Sequence, residues 1–232
     1  MTNALAVHDQ DARLPLRERK KLRTRQALID TALELFAERG FGGVTLDELC
    51  DAVEVSKRTF FRYFTSKEDV AMAPTQDLWL AYLDDLETRD PDGRPLLEVL
   101  QEALLAALDR MTADDWAHRV RLSRQLAADT PSMDAHGLHF CHRTSRAALA
   151  ILHRRFDFDT PDDLRPRLAT EMLLAAFHCA LDGWVQQPGP VTRGDLAARL
   201  REALAALPGS MTLAVSLRRQ DQEPAELVAG DG

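Results

Sequence analysis

The sequence predicts an all-α fold in which three short-linked N-terminal helices precede a larger helical body. Two observations carry this. The 232 residues are rich in Ala and Leu, both strong helix formers, while aromatic residues make up only 6%. Residues able to cap a helix recur ahead of runs whose apolar positions return every three or four residues, and no segment alternates as a strand would. Hydrophobic residues at 45% and charged residues at 28% are the balance of a globular protein with a core.

The elements follow in order. Residues 1–15 lack an apolar period and read as a disordered tail. "LRERKKLRTRQALIDTALELFAERG" then carries Leu22, Leu28, Ile29, Ala32, Leu35 and Phe36 at helical spacing, and Gly40 stops the helix. Thr45 with Glu48 three residues on is a capping box for a short second helix ending near Val53. Ser56 caps a third, and Ser66 starts a fourth over 66–88, which Pro74 should bend or restart. "RDPDGRP" at 89–95 is the clearest break in mid-chain. Beyond it, Thr112, Thr130, Thr160 and Thr192 act as start signals, giving helices at about 95–111, 113–128, 132–156, 161–186 and 193–207. The domains are therefore a head at 16–65, a body at 66–208 and a C-terminal tail at 209–232.

Charge is unevenly placed. Residues 13–67 hold 12 Lys/Arg against 8 Asp/Glu, while the rest holds 17 against 29, in a chain of net charge −8. An acidic protein with one basic segment meets a polyanion through that segment alone. The most apolar stretch, Met172 to Leu181, is interrupted by His178 and followed by Asp182, which argues against a bilayer span. The start lacks a basic region followed by an apolar one, so a cytoplasmic location is expected. Three cysteines (Cys50, Cys141, Cys179) without CxxC spacing suggest buried thiols rather than a disulfide framework.

"VSKRTFFRYF" at 55–64 concentrates the chemistry. At roughly 100° per residue, Phe60 and Phe64 fall on one side, flanked by Lys57 and Phe61, while Arg58, Thr59, Arg62 and Tyr63 fall on the other. One face packs inward. The other presents two guanidinium groups, a hydroxyl and a phenol. Arginine pairs with guanine O6 and N7, while Thr, Tyr and Lys serve phosphate oxygens. A short helix, a tight turn and a second short helix form a helix-turn-helix, whose second helix enters the major groove. The basic run "RERKKLRTR" at 17–25 is either a solvated helix face or an arm reaching the minor groove.

Residues 22–70 resemble the N-terminal domain of the TetR family of transcriptional regulators, through "ALIDTALELFAERGF" and "VTLDELCDAVEVSKRTFFRYFTSKEDV". The resemblance implies an N-terminal helix-turn-helix DNA-binding domain and a larger C-terminal helical domain for ligand binding and dimerisation. It implies that Thr45 and Ser56 cap helices at the DNA face, with Thr45 touching phosphate. Lys57, Arg58, Thr59 and Arg62 would then face the groove, and Tyr63 and Lys67 would hold the DNA backbone. Phe61, where the family often has Tyr, can offer only an apolar contact. Glu54 stands where the family usually has Gly, so a turn needing positive φ would be strained by roughly 1–2 kcal/mol.

By the same resemblance the partners are double-stranded DNA at a palindromic operator, a small-molecule effector, and a second copy docked through the helices near 161–186 and 193–207; low aromatic content and no basic cluster in the body point to an apolar or neutral effector. No cofactor is implied. Trp116, His139 and His178 are candidates for the effector pocket. His136, His139 and His142 fan across about 120° of a helix and cannot all meet one ion, so no metal site is expected. The alternatives are a helical enzyme, or a ligand-binding protein of the same fold without specific DNA binding. Against an enzyme, the sequence shows no nucleophile elbow, phosphate loop or HExxH motif.

Overall fold

The computed structural model describes residues 15–113, 115–160 and 162–216. These form nine α-helices and one 3-10 turn, with no strand among the described residues. The head is α1 (Leu16–Arg39), the turn at Phe41–Gly43, α2 (Leu46–Ala52) and α3 (Lys57–Phe60). α4 (Lys67–Leu86) leads out of it. The body adds α5 (Leu96–Asp109), α6 (Trp116–Ala128), α7 (Pro131–Arg155), α8 (Arg165–Val185) and α9 (Arg193–Ser210). The tail expected at 1–15 lies almost entirely outside the described residues, as does that at 209–232 beyond residue 216.

The local signals in the head operate as expected. α1 buries Leu28, Ile29, Ala32, Leu33 and Phe36, and Gly40 ends it at φ +75°, a conformation that suits glycine. The Thr45 hydroxyl accepts from the Glu48 N–H at 3.2 Å while the Glu48 carboxylate accepts from the Thr45 N–H at 2.8 Å, closing the capping box of α2. Ser56 and Ser66 accept from the backbone N–H groups of Thr59 and Asp69. Thr192 and Asp195 form a second capping box at the start of α9.

Three expectations need correction. α6 begins at Trp116, where Asp115 makes no side-chain cap bond, so Thr112 is not its start. Thr112 instead donates its N–H to the Arg110 carbonyl, continuing the turn that ends α5. α8 begins at Arg165 with Pro166 in its first turn, rather than at 161. There the Asp163 carboxylate holds the Arg165 N–H and guanidinium. α9 runs past Pro208 to Ser210, because a proline near an exposed helix end forfeits one bond that water can replace.

Pro74 sits inside α4 without ending it. The helix is held by burial along its length, from Val70–Pro74 through Leu78, Trp79 and Tyr82 to Leu86. The Pro74 carbonyl accepts the indole N–H of Trp116 at 3.0 Å.

Two cores share α4. The first gathers Leu28, Ile29, Leu33, Phe36, Leu49, Phe60 and Phe64 with Val70–Ala73, and also takes in Ala127 of α6 and Met133 of α7. The second begins at Leu78 and runs through Leu100, Phe177 and Trp184 to Leu200 and Leu204 of α9. The cores therefore meet within α4, close to Pro74, rather than at its first residue. α8 is as apolar as a minimal spanning helix, with mean hydropathy 1.2 over 18 residues. In this fold that character serves burial, since Leu173, Ala176, Phe177, Leu181 and Trp184 are core residues packed with α5 and α9.

Candidate nucleic-acid interface and effector cavity

The turn between α2 and α3 closes through Val55 N–H donating to the Cys50 carbonyl at 2.9 Å and Glu54 N–H to Asp51 at 3.1 Å. Glu54 holds φ +54°, so the left-handed turn is made without the glycine that would relax it. Phe60 is fully buried and Phe64 nearly so, and helical bonds continue past Phe60 to Phe64. The outward face of this short helix then carries Lys57, Arg58 and Arg62 exposed, with Thr59 and Tyr63 half-buried beside them.

All of these side chains but Arg58 have a polar or aromatic neighbour. Lys57 Nζ pairs with Asp47 of α2 at 2.7 Å, an exposed contact that raises the lysine's pKa through that hydrogen bond. Arg62 lies 5.0 Å from the Tyr63 ring centroid and donates to its hydroxyl at 3.2 Å. Arg58 has no ion-pair partner among the described residues. Ser56 spends its hydroxyl on Thr59, accepting from its N–H and donating to its side chain at 3.1 Å. Phe61 is 55% exposed and packs at right angles to Phe60, so more than half of its surface is open to an apolar contact.

Lys67 points inward. Its ammonium donates to the Val44 carbonyl at 2.6 Å and the Phe41 carbonyl at 3.0 Å, and sits 4.6 Å from the Phe41 ring centroid. Two of its three donors thus tie the start of α4 to the loop after α1, leaving one for a phosphate.

The candidates for the effector pocket separate. A cavity of about 240 Å³ lies between α4, α7 and α8, walled by Thr75, Gln76, Trp79, Cys141, Phe177 and His178. His178 belongs to it, with Nε2 3.8 Å from Cys141 Sγ. Burial, reinforced by Arg124, pulls the imidazole pKa down, and burial pushes the thiol up, so both groups are neutral near pH 7. Trp116 instead walls a different groove, beside α1. His139 is exposed and lines neither, because Gly137, Leu138 and Cys141 take the face of α7 that meets the cavity.

His136 is drawn to α4, 3.1 Å from Gln76 Nε2 and 3.6 Å from Asp69. Among the described residues no three His, Cys, Asp or Glu converge as a metal would need. Thr75, Gln76 and Trp79 escaped the sequence reading because helical spacing alone does not say which side of α4 borders an opening.

A helix-turn-helix with a cationic outward face, joined by one continuous helix to a cavity-bearing helical body, defines a DNA-binding regulator. Comparison with known proteins agrees. Residues 28–73 match the family model for bacterial regulatory proteins of the tetR family, and residues 94–212 match the model for the MftR C-terminal domain. The chain is 36% identical to the HTH-type transcriptional regulator TcmR of Streptomyces glaucescens over 174 residues, 73% of this chain and 76% of that one. It is 28% identical to MftR of Mycobacterium tuberculosis, whose name ties it to mycofactocin biosynthesis, over 81% of this chain and 89% of that one. A solved TetR-family structure from Syntrophomonas wolfei superposes with a TM-score of 0.52 at 17% identity, covering 84% and 98% of the two chains. The chain belongs to the TetR family of transcriptional regulators.

Proposed function

We propose that the chain binds a palindromic operator as a homodimer, represses from it, and is released when a small neutral molecule fills the cavity between α4, α7 and α8. The observation that carries this reading is that α4 serves both sites. Its first turn, at Ser66 and Lys67, braces the DNA-binding head, and its Met72, Thr75, Gln76 and Trp79 wall the cavity. A ligand that repositions α4 therefore repositions α3. Differential binding of roughly 1–3 kcal/mol would weaken DNA affinity about 5–150-fold.

Apart from Asp134, the charged lining residues Arg124 and Asp182 pair with each other at 3.1 Å, which supports a neutral effector carrying oxygen or nitrogen groups. The hydroxyls of Thr75 and Tyr82 are out of solvent with no hydrogen-bond partner, and Tyr82 adjoins the cavity through Trp79 and Cys141. A buried donor without an acceptor is costly, and a ligand oxygen would relieve it. The neutral Cys141–His178 pair is poorly suited to the nucleophilic chemistry that an enzyme reading would need.

For the dimer, α8 exposes Leu168, Ala175 and Cys179 along one stripe that Leu164 precedes, and α9 exposes Ala198, Ala205 and Ala206. Small residues let two such helices approach a second copy closely. A DNA partner supports a cytoplasmic location.

The test is fluorescence anisotropy of the full chain with DNA from its own upstream region. Specific binding that weakens steeply with salt is expected. Equal affinity for that DNA and a scrambled duplex would sink the proposal.

A further inference from the structure

We propose that a groove between head and body is a second ligand site, built for a small organic anion with an apolar body. The groove measures about 720 Å³, lies beside α1, α4 and the α5–α6 connection, and shares no lining residue with the cavity of α4, α7 and α8. Its charged walls are Arg19, Arg23, Arg25, Arg110 and Arg119 against the single carboxylate of Asp77. That concentration of guanidinium groups occurs in a chain of net charge −8.

Some of this charge is compensated. Arg25 takes Asp77, Arg119 takes Asp30 and Arg110 takes Asp84. Arg19 and Arg23, one turn apart on α1, have no carboxylate partner among the described residues. Moreover, Arg19 Nε is buried without a hydrogen-bond partner. A guanidinium keeps its charge at any physiological pH and offers a planar fork that fits a carboxylate or phosphate. Arg19, half-buried, and Arg23, exposed beside it, are therefore available to take an anion together.

The floor specifies the rest of the ligand. Ile29 and Pro74 are buried there, and Trp116 is held in place by its indole N–H on the Pro74 carbonyl at 3.0 Å. This rigid apolar surface suits an aromatic or aliphatic body. The Asp77 side of the groove lies ten residues along α4 from Lys67, about 15 Å of helix. The groove also gives the basic run at 17–25 a role other than a minor-groove arm, since that run is helical in α1 and turns Arg19, Arg23 and Arg25 onto the groove. A ligand bridging α1 to α6 would fix the head against the body, so the site is regulatory.

The experiment is calorimetric titration of the full chain with 1-naphthyl phosphate, 1-naphthoate and neutral 1-naphthylmethanol. At least one anion should bind, about tenfold or more tighter than the alcohol. Phosphate-only binding would identify a phosphorylated ligand and carboxylate-only binding an organic acid. The double variant Arg19→Gln/Arg23→Gln, checked for folding by circular dichroism, should lose about tenfold in affinity, and Arg19→Lys/Arg23→Lys, which keeps the charge without the fork, should lose less. Leu138→Arg, at the other cavity, should leave the affinity for the naphthyl anions unchanged. Absence of binding by both anions at millimolar concentration overturns the proposal, as does unchanged affinity in the glutamine variant or loss in Leu138→Arg. Operator binding is measured apart, so failure here is separable from failure of the regulator reading.

Discussion

Arg25 of α1 and Asp77 of α4 form a two-point ion pair at 2.8 and 2.7 Å, and the same guanidinium lies 5.2 Å from the centroid of Phe64. One side chain thus touches the end of the recognition segment and the middle of the connecting helix. Both partners are about two-thirds buried, at 29% and 32% exposure, so the pair is only partly screened. A double-mutant cycle with Arg25→Gln and Asp77→Asn should give a coupling of about 1–2 kcal/mol in urea unfolding. Coupling near zero would remove the pair from any account of head–body communication.

The strain at Glu54 is measurable. Its φ of +54° costs a side-chain-bearing residue about 1–2 kcal/mol, while glycine gives back about 0.5–1 kcal/mol in unfolded-chain entropy. Glu54→Gly should therefore stabilise the protein by roughly 0.5–1 kcal/mol, read as a higher urea midpoint with unchanged m-value. Operator affinity should also rise, because an anion leaves the DNA face.

Arg58 and Lys67 should fail in different ways. Arg58 is exposed, so Arg58→Ala should leave thermal stability intact yet cost about 1–3 kcal/mol of discrimination at one base position. Lys67→Ala removes two charge-assisted bonds to backbone carbonyls and should destabilise the fold by about 2–3 kcal/mol, weakening binding to every sequence alike. Melting curves beside binding isotherms distinguish the two.

Acid should loosen the cap of α2. The Arg39 guanidinium, together with the Thr45 N–H and hydroxyl, holds the Glu48 carboxyl at about 2, well below its ordinary 4.5. A depressed carboxylate pKa stabilises the fold above pH 4.5, and that contribution fades as pH falls toward 2. The melting temperature of Glu48→Gln should thus fall less than that of the native chain across this window. Parallel curves would show that the contact carries no net stability.

The helices were legible wherever a capping side chain stood directly before an apolar run, as at Thr45, Ser56, Ser66 and Thr192. They were misplaced where the same residue type served a loop. Thr112 continues the turn after α5, and Thr160 stands five residues before α8 begins. The recognition face was readable because its two-sidedness is encoded in eight residues. The cavity was not, because which side of α4 borders an opening depends on how α7 and α8 pack against it. For that reason Trp116 and His178, both pocket candidates from the sequence, line two different openings. The place of Trp116 in the first turn of α6 and its bond to Pro74 are facts of packing.

Ala127 and Met133, from the body, are buried in the core of the head. A chimera that cut the chain at the start of α4, to graft this head onto a different sensor, would leave Phe36, Phe60 and Val70 facing mismatched surfaces. Modular exchange of specificity in this protein requires the end of α6 and the start of α7 to travel with the DNA-reading unit, although they lie some sixty residues away along the chain.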